Sequence, residues 1–526
     1  MTTFNQILKT LSLDIYSSAP SHTADWQVQA FTGFVLDSCK VEKGQIFIAL
    51  KGTNSTAEQM AQYINKAFEQ GALAVLTEYA EFKDACLEQN IVYIENLRDI
   101  LGTLQQQYLQ VQQAQDLARV VAVTGTNGKT TVSRLIAELL TLLQQPTAVM
   151  GTTGNGILPN LVPSTHTTLD ALQLQSSYYQ YSQQGAKFLS LEASSHGLEQ
   201  GRLAGLPIEV ASFSNLSRDH LDYHGTLEQY AQAKAELFSF TSLKYAIIHQ
   251  DDDCAELMIK IAKQNPVRPK VFTFSIAVDE NNHRASNAIP VDYYIGDVQF
   301  SLTGATFTLY APNGEFYHVQ SPLLGRFNVA NVVQAIISVE KLGFNLQDII
   351  QLVPQLKGAS GRMQTISDTQ HQRLFIVDYA HTPDALQQVL MSLRHHVDGK
   401  LWAVFGCGGD RDRGKRPMMT QVAMDYADKI ILTSDNPRTE DPAQIMADMM
   451  AVDGLAQADV QSILDRREAI KYAVKHAQQG DIVVVAGKGH ENYQEIDGVR
   501  HWFDDVVEVQ SAVDSLGCAL PNTVEA

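Results

Sequence analysis

The sequence has few cysteines and no long apolar run, and both absences narrow the possible classes of protein. Its five cysteines, Cys39, Cys86, Cys254, Cys407 and Cys518, are scattered and form no CxxC pair. That usage argues against a zinc framework and is typical of a reducing compartment. No segment approaches the roughly 20 apolar residues of a membrane span, and the first residues lack the basic and apolar regions of a signal peptide. We therefore expect a cytoplasmic protein with no membrane insertion.

The sequence also lacks an excess of positive charge. Its 39 lysines and arginines are outnumbered by 58 aspartates and glutamates, which gives a formal net charge of −19 at pH 7. Nucleic-acid binders draw much of their affinity from neutralising phosphates, so this balance argues against a nucleic-acid partner. The hydrophobic content of 45% is ordinary for a globular protein. A length of 526 residues suggests about three domains.

Strand patterns and helical patterns alternate along the chain, and this alternation predicts an α/β fold with mostly parallel sheets. The pattern divides the chain into a small N-terminal α/β domain over 1–98, a central domain over 99–357 and a C-terminal domain over 358–526. The predicted strands are 45–50, 72–76, 119–123, 188–191, 245–249, 373–377, 401–405, 429–433 and 481–485. The predicted helices are 57–70, 101–115, 131–143 and 227–238.

A glycine-rich loop joins the predicted strand 119–123 to the helix that follows it. This phosphate loop consists of Gly125, Thr126, Asn127, Gly128, Lys129, Thr130 and Thr131. Such a loop turns backbone N–H groups toward phosphate oxygens, and the N-terminus of the helix adds a favourable dipole. Lys129 can reach the outer phosphates of a nucleotide, and the Thr130 hydroxyl can ligate Mg²⁺. Val123 stands where the usual spacing has a first glycine, so the loop is shorter than those of switch GTPases and motor ATPases.

Residues beyond the phosphate loop carry groups that suit phosphoryl transfer. Glu192 follows the predicted strand 188–191, and His220 lies in the segment 219–224. Both are residue types that can hold a metal ion beside phosphates. A histidine by itself is more often structural, and Lys234, taken alone, is typical of a solvated surface lysine. The residues by themselves leave both interpretations open.

Polar or glycine-rich loops follow the four predicted strands of the third region, at 378–381, 406–411, 434–438 and 486–491. Open α/β sheets bind ligands outside the carboxyl ends of their strands, so we expect these loops to share one edge. Pro437 fixes its own φ and disfavours the α region at Asn436, so the loop can aim Arg438. Arg438 could hold a carboxylate through two charge-assisted bonds, or it could be a solvated arginine after an ordinary turn.

Taken together, the motifs resemble those of the Mur ligases. They are the phosphate loop, DHLDYHG at 219–225, YAQAK at 230–234, GRFN at 325–328 and DYAHTP at 378–383. The resemblance implies a UDP-sugar-binding domain, a central ATPase and a Rossmann-like C-terminal domain. It also implies a ligase of peptidoglycan precursor synthesis, in which ATP phosphorylates a substrate carboxylate and an amine displaces the phosphate. Motifs in the third region resemble those of family members that use meso-diaminopimelate as the amine and UDP-N-acetylmuramoyl-L-alanyl-D-glutamate as the acceptor, so the resemblance implies these two substrates.

The resemblance also assigns residues to each ligand. Thr130, Glu192 and His220 match Mg²⁺ ligands, and Lys234 matches a lysine modified by CO₂ to a carbamate, an anionic oxygen ligand. Carbamylation requires a neutral amine, and hence a lowered pKa for Lys234. Beside the phosphate loop, the positions that match ATP contacts are Asn328, Arg362 and Asp378. Those that match UDP-sugar-peptide contacts are Leu36, Ser38, His166, Thr167, Thr168, Ser194, Gln200 and Arg202. Those that match diaminopimelate contacts are Arg411, Asp435, Asn436, Pro437, Arg438, Gly487 and Glu491.

The sequence departs from the family pattern at several positions, and its motifs are also compatible with two other functions. Cys39 stands where the family usually has arginine, His166 stands where it often has asparagine, and residues 51–59 lack the usual pattern. One alternative is folylpolyglutamate synthase, which shares the shortened loop but is disfavoured by DHLDYHG and by residues 435–438. The other is a nucleotide-binding switch protein without ligation, which would not need the amine- and anion-binding residues of the third region.

Overall fold

The computed structural model describes residues 3–11, 25–52, 55–82, 90–112, 117–164, 166–276 and 290–517. Cys86, Cys518, the predicted helix end at 113–115 and part of the segment 51–59 lie outside the described residues. The chain divides into two compact units, Met1–Ser133 with Leu140–Phe272, and Arg134–Leu139 with Thr273–Ala526. In the part of the chain that the structure describes, no helix is long and apolar enough to cross a membrane.

The first unit begins with a four-stranded parallel sheet in the order β1-β2-β3-β4. Its strands are β1 (Phe34–Val35), β2 (Ile46–Ala49), β3 (Ala74–Thr77) and β4 (Ile91–Tyr93), and its helices are α1 (Phe4–Leu11), α2 (Asp25–Val28), α3 (Ala57–Glu69) and α4 (Leu97–Gln112). All four residues of β2 are apolar because both faces of the sheet are covered. Ile46 and Ile48 pack in the core that contains Phe4 and α4. Phe47 and Ala49 pack in the core that contains α3.

The rest of the first unit is built on a larger sheet in the order β11-β10-β9-β5-β8-β6-β7. Its strands are β5 (Arg119–Thr124), β6 (Thr147–Gly151), β7 (Gly154–Ile157), β8 (Phe188–Glu192), β9 (Ile208–Phe213), β10 (Tyr245–His249) and β11 (Lys270–Ser275). Its helices are α5 (Lys129–Leu142), α6 (Ala171–Gln183), α7 (Ser195–Glu199), α8 (Leu221–His224), α9 (Leu227–Ala235) and α10 (Ala255–Gln264). β5 pairs in parallel with both β8 and β9. The carboxyl end of β5 therefore lies at the middle of the sheet, where open α/β sheets bind ligands.

The second unit opens with an antiparallel meander that the sequence analysis did not predict. Its strands are β12 (Tyr293–Ser301), β13 (Gly304–Tyr310) and β14 (Phe316–Ser321), and the helices α11 (Arg326–Lys341) and α12 (Leu346–Leu352) follow. The predicted helix 227–238 of the first unit also needs correction. α9 ends at Ala235, and a 3₁₀ turn over Glu236–Ser239 takes its place, as is common at helix ends.

A six-stranded sheet in the order β15-β16-β20-β17-β18-β19 forms the rest of the second unit. Its strands are β15 (Gln364–Asp368), β16 (Arg373–Asp378), β17 (Leu401–Phe405), β18 (Lys429–Leu432), β19 (Val460–Ser462) and β20 (Ile482–Ala486). A hairpin of β21 (Tyr493–Ile496) and β22 (Val499–Trp502) follows, and the helices are α13 (Pro383–Arg394), α14 (Lys415–Tyr426), α15 (Pro442–Met450), α16 (Arg466–His476) and α17 (Asp505–Gly517). The four predicted strands are confirmed as β16, β17, β18 and β20. Apart from β15, the sheet is parallel, so the four predicted loops share one edge.

Residues on this sheet alternate between two cores. Ile376 and Val484 pack with α13, α14 and α15, whereas Phe375 and Val483 pack with α16 and α17. This period of two follows from the pleat of a strand. Both faces are buried, which is why the strands are nearly continuous runs of apolar residues. The fold class, an α/β protein with mostly parallel sheets, is therefore confirmed.

A fully buried ion pair supports the carboxyl edge of the six-stranded sheet. The Arg466 guanidinium donates to both carboxylate oxygens of Asp505 at 2.7 Å, and neither side chain is exposed. The same guanidinium donates to the carbonyl oxygens of Ser434 and Ala486. It therefore joins the chain after β18 to the end of β20.

We expect Asp505→Asn to lower the free energy of unfolding by about 3–5 kcal/mol, because it leaves a buried guanidinium without its counter-ion. Glu508→Gln is the matched control, since Arg467 and Glu508 pair between the same two helices but the arginine is 46% exposed. That pair should contribute about 0–1 kcal/mol. Urea denaturation followed by tryptophan fluorescence, to which Trp402 in the same sheet contributes as a buried residue, measures both changes. Equal losses in the two variants would contradict the expectation.

Candidate functional site

The phosphate loop lies at the carboxyl end of β5 and leads directly into α5. The helix begins at Lys129 rather than at the predicted residue 131, so Lys129 and Thr130 belong to its first turn. Gly125 has a φ of 150°, and a Cβ at this position would overlap the Ser214 side chain, which explains the need for glycine. Lys129 Nζ lies 2.8 Å from the carbonyl oxygen of Gly125 and 2.9 Å from that of Thr126. Its ammonium therefore contacts the backbone of the loop, and an anion bound by the loop would form a further contact with it.

A buried carboxylate, that of Glu192, lies against the first turn of α5. Glu192 ends β8, the strand next to β5, and only 1% of the residue is exposed. The Thr130 hydroxyl donates to Glu192 Oε2 at 2.8 Å, and the Thr152 N–H donates to Oε1 at 2.8 Å. A Cβ at Gly151 would overlap this carboxylate. Two oxygens of the kind that Mg²⁺ prefers thus meet beside the phosphate loop.

Lys234 is buried in α9 and is not the surface lysine that it resembles when taken alone. Only 1% of the residue is exposed, and its Nζ donates to the Gly125 carbonyl oxygen at 2.7 Å. The ammonium also lies 4.5 Å from the centre of the Tyr230 ring. Burial, reinforced by the nearby Lys129 ammonium, holds the pKa of Lys234 well below its usual range. A lowered pKa increases the fraction of neutral amine, which is the form that reacts with CO₂.

His220 lies beside the same group of side chains. It has a left-handed φ of 52° before α8, and its ring centre is 6.0 Å from that of Tyr230 and 5.0 Å from that of His196. The Tyr230 hydroxyl is 3.1 Å from Thr126 Oγ1, so this group reaches the phosphate loop. The described residues hold no group of three or more histidine, cysteine, aspartate and glutamate side chains placed to bind a metal ion.

A hydrogen-bonded chain that the sequence analysis missed fixes α8 on α7. His224 Nε2 lies 2.9 Å from Ser195 Oγ, and His224 Nδ1 lies 3.0 Å from Glu199 Oε2. Ser195 and His224 are both buried. The chain anchors the segment that carries His220, and its buried members, Ser195 and His224, support the site from below the surface, whereas the Glu199 side chain is 48% exposed. The second histidine of DHLDYHG was the available signal.

Four of the predicted UDP-sugar-peptide positions line one cavity of about 420 Å³ in the first unit. They are Leu36, His166, Gln200 and Arg202. Lys40 and Arg98, which the sequence analysis missed, line it too. The cavity therefore combines apolar walls with several cationic side chains, an arrangement that suits an anionic ligand.

Hydrogen bonds place the remaining predicted positions of this set. Arg202 donates to the carbonyl oxygen of Thr168 at 2.7 Å and to the Gln200 side chain, and burial lowers the pKa of Arg202. Ser194 caps α7, and its N–H donates to the Thr168 hydroxyl. Thr167 lies 3.2 Å from the hydroxyl of Thr152, which also contacts Glu192. Ser38 is buried in the turn Ser38–Lys40 and is not among the residues that line the cavity.

The predicted ATP positions outside the phosphate loop all lie in the second unit. The Arg362 guanidinium lies 4.7 Å from the centre of the Tyr379 ring. Asp378, at the end of β16, accepts backbone bonds from Met363 and Ala380 at 2.8 Å. Burial raises the pKa of Asp378, against the opposing effect of Arg362. Asn328 is buried in the first turn of α11, where its side chain donates to the Leu324 carbonyl oxygen.

The loop 435–438 meets the loops after β17 and β20, as expected for neighbouring carboxyl ends. The Asn436 side chain donates to Glu491 Oε2 at 2.8 Å, and a Cβ at Gly487 would overlap the Asp435 carboxylate. Arg438 has a left-handed φ of 53°, and its NH1 donates to the Gly409 carbonyl oxygen at 2.7 Å. Asp435, Asn436, Arg438, Gly487 and Glu491 are thus brought together.

Arg411 and Lys488 lie in the loops that follow β17 and β20 at this edge. Arg411 is exposed on the loop after β17, and its NH1 donates to the Asp410 carbonyl oxygen. The Gly409 N–H of the same loop donates to the Asn436 carbonyl oxygen at 2.9 Å. Lys488 is fully buried beside Asn436 and was not predicted. A lysine between two glycines directly after a strand was the signal that could have drawn notice to it.

Comparison with known families identifies the class of protein that this fold and these sites define. Residues 123–339 match the model of the Mur ligase middle domain. Residues 361–489 match the model of the Mur ligase glutamate ligase domain. The chain belongs to the Mur ligase family.

Several individual relatives are similar over nearly the whole chain. The UDP-N-acetylmuramoyl-L-alanyl-D-glutamate--2,6-diaminopimelate ligase of Ectopseudomonas mendocina is 40% identical over 91% of this chain and 94% of its own length. The ligase of the same name from Vibrio vulnificus is 41% identical over 90% and 91%. A solved structure of a protein with that name is 56% identical, with a TM-score of 0.75 over 98% of this chain and 99% of its own. A folylpolyglutamate synthase of Mycobacterium tuberculosis, 17% identical over 79% of this chain and 95% of its own with a TM-score of 0.56, shares the fold alone.

Proposed function

We propose that this protein is an ATP-dependent ligase that adds meso-2,6-diaminopimelate to UDP-N-acetylmuramoyl-L-alanyl-D-glutamate, with release of ADP and phosphate. The observation that supports this most is the group formed by Asp435, Asn436, Arg438 and Glu491 at one edge of the second unit's sheet. It offers carboxylates to an ammonium and a guanidinium to a carboxylate. Nearly full-length similarity to ligases named for this reaction supports the same conclusion.

Activation of the acceptor carboxylate is the task of the phosphate loop. A carboxylate is a poor acyl donor because oxide is a poor leaving group, so transfer of the γ-phosphoryl group of ATP creates an acyl phosphate. The backbone N–H groups of the loop and Lys129 hold the outer phosphates. The Thr130 hydroxyl and the Glu192 carboxylate, whose oxygens lie 2.8 Å apart, would hold Mg²⁺ together with His220. The metal, when bound, neutralises charge on the transferring phosphate.

Lys234 acts in this proposal as a carbamate. The neutral amine forms a bond to the carbon of CO₂ and loses a proton, which converts an uncharged amine into an anionic carbamate. The burial of Lys234 and its lowered pKa support this reaction. An unmodified ammonium at this position would repel Mg²⁺, whereas a carbamate would attract it.

The cavity lined by Gln200 and Arg202 takes the nucleotide-sugar end of the acceptor. Its cationic side chains, Lys40, Arg98 and Arg202, suit a diphosphate. We propose that residues 1–98 form the UDP-sugar-binding domain, residues 99–357 the ATP-binding domain and residues 358–526 the amino-acid-binding domain. A nucleotide-sugar substrate and ATP imply a cytoplasmic location.

The second substrate is recognised at its far end. Diaminopimelate carries an ammonium and a carboxylate there, whereas lysine carries only the ammonium. The amine at the reacting end displaces phosphate from the acyl phosphate through a tetrahedral intermediate. Arg438 and Arg411 suit the carboxylate at the far end, and Asp435 and Glu491 suit the ammonium.

An ADP-release assay tests the proposed function. The protein is incubated with ATP, Mg²⁺ and UDP-N-acetylmuramoyl-L-alanyl-D-glutamate, and meso-diaminopimelate, L-lysine or no amino acid is added. We expect ADP release to require both the acceptor and meso-diaminopimelate. Turnover with neither substrate would favour a nucleotide switch, turnover with folate and glutamate would favour folylpolyglutamate synthase, and equal turnover with lysine would overturn the choice of amino acid.

A further inference from the structure

A buried lysine that has no part in the proposed reaction lies beside the loop 435–438. Lys488 follows β20, and its side chain is fully buried. Its Nζ lies 3.0 Å from Asn436 Oδ1, 3.5 Å from Glu491 Oε2 and 4.0 Å from Asp435 Oδ1. The Tyr493 ring lies beside it, with its centre 5.5 Å from Nζ. Since a buried charge is costly unless it is paired, these neighbours indicate what the ammonium does.

The first effect of Lys488 is on the orientation of the Asn436 amide. Asn436 Oδ1 accepts from Lys488 Nζ and from the Glu495 N–H at 2.9 Å, whereas its Nδ2 donates to Glu491 Oε2. A flipped amide would set its N–H groups against two donors. Lys488 and the Glu495 N–H together therefore keep the amide nitrogen on the side of Glu491. An amide nitrogen carries two hydrogens, and the bond to Glu491 uses one of them.

The second effect of Lys488 is on the charge of the pocket. Asp435 and Glu491 contribute two carboxylates, and the buried ammonium neutralises one of them. The one negative charge that remains can bind the ammonium of the ligand, while Arg438 binds the ligand carboxylate. Without Lys488 the two carboxylates would lose this buried positive neighbour, so the pocket would repel a ligand carboxylate more strongly and favour a ligand that has only an ammonium.

We propose that Lys488 is a positioning residue that gives the site its preference for an amino-acid end with both an ammonium and a carboxylate. It acts by fixing the Asn436 amide and by neutralising one of the two neighbouring carboxylates. This inference rests on the proposed function, because it assigns a cause for the choice between diaminopimelate and lysine. It concerns a residue that need not touch the substrate.

Lys488→Met tests the inference, because methionine keeps most of the length of the side chain and removes its charge. We expect the KM for meso-diaminopimelate to rise by about 10-fold or more, while the KM values for ATP and the UDP-linked acceptor stay within about twofold. The ratio of kcat/KM for diaminopimelate to that for L-lysine should fall. Lys471→Met is the control, since Lys471 is 53% exposed and pairs with Glu468 on α16.

A double-mutant cycle with Asn436→Ala separates this role from a general structural one. If Lys488 acts through the Asn436 amide, the two substitutions together should raise the KM for diaminopimelate by clearly less than the product of their separate effects. A KM in the double variant equal to the product of the separate effects would overturn the inference. So would an unchanged preference for diaminopimelate, or a parallel rise in all three KM values. A wild-type protein that fails to use diaminopimelate would instead overturn the proposed function.

A second variant keeps the test decisive if Lys488→Met does not fold. The amide of Lys488→Gln can still donate to Asn436 Oδ1 but carries no charge. We expect its preference for diaminopimelate over lysine to fall while ATP affinity is kept. An unchanged preference in this folded variant would equally overturn the inference.

Discussion

Arg438→Ala is expected to lower kcat/KM for meso-diaminopimelate by about 10³-fold or more while leaving ATP binding intact. Asp435 and Glu491 would remain to bind the ammonium, but the carboxylate of the ligand would lose its guanidinium partner. Sites built around a polar partner discriminate by about 10⁴–10⁵-fold against a ligand that lacks it. The φ of 53° at Arg438 and its bond to the Gly409 carbonyl oxygen hold the side chain in place before the ligand arrives, so little reorganisation is needed.

The measurement is the dependence of ADP release on diaminopimelate concentration, with ATP affinity measured separately by equilibrium binding. Arg413→Ala is the matched control, because Arg413 belongs to the neighbouring loop, is 66% exposed and pairs with Glu440. It should retain wild-type kinetics. An unchanged KM for diaminopimelate in Arg438→Ala, or efficient lysine addition by the wild type, would refute the specificity argument.

Lys234→Ala is expected to lower kcat by about 10²–10³-fold, the scale of one group that stabilises charge in a transition state. Lys234→Arg should lose activity to a similar extent, because a guanidinium keeps the positive charge and does not form the carbamate. Neither variant should alter the KM for diaminopimelate much, since Lys234 lies against the phosphate loop. The measurement is ADP release under saturating substrates.

A ¹³C NMR spectrum of the wild-type protein with ¹³CO₂ should show a carbamate signal that is absent from both Lys234 variants. Lys260→Ala is the control, since Lys260 is an exposed lysine on the neighbouring helix α10. A fully active Lys234→Arg enzyme, or a carbamate signal that persists in it, would refute the role assigned to Lys234.

Local patterns were sufficient to predict the parts of the fold that depend on short stretches of sequence. The apolar run 401–405 is β17 residue for residue, because a strand buried on both faces needs no polar position. The phosphate loop was predicted with its context, since glycine, lysine and threonine follow a strand in a fixed order. The start of α5 was misplaced by two residues because the loop and the first helical turn share the same residues.

Features that depend on contacts between distant residues could not be predicted in this way. Arg466 and Asp505 are 39 residues apart and look like surface residues in the sequence, yet both are fully buried. The role of Lys488 depends on its contact with Asn436, which lies 52 residues away in the sequence. The meander β12–β14 was not predicted because the strand–helix alternation of the neighbouring segments does not extend through residues 293–321. The carbamate at Lys234 was predicted from the family resemblance alone, and the burial of the side chain gives that prediction a physical basis.

The Arg466–Asp505 pair has a consequence for shortened forms of the protein. Asp505 is the first residue of α17, the last helix of the described chain, and it neutralises a guanidinium that bridges the carbonyl oxygens of Ser434 and Ala486. A stop codon just upstream of residue 505 would therefore remove more than a terminal helix. It would leave the buried Arg466 between the loops that carry Asn436 and Glu491 without its counter-ion, so a truncated product should fail at amino-acid capture before it fails at nucleotide capture.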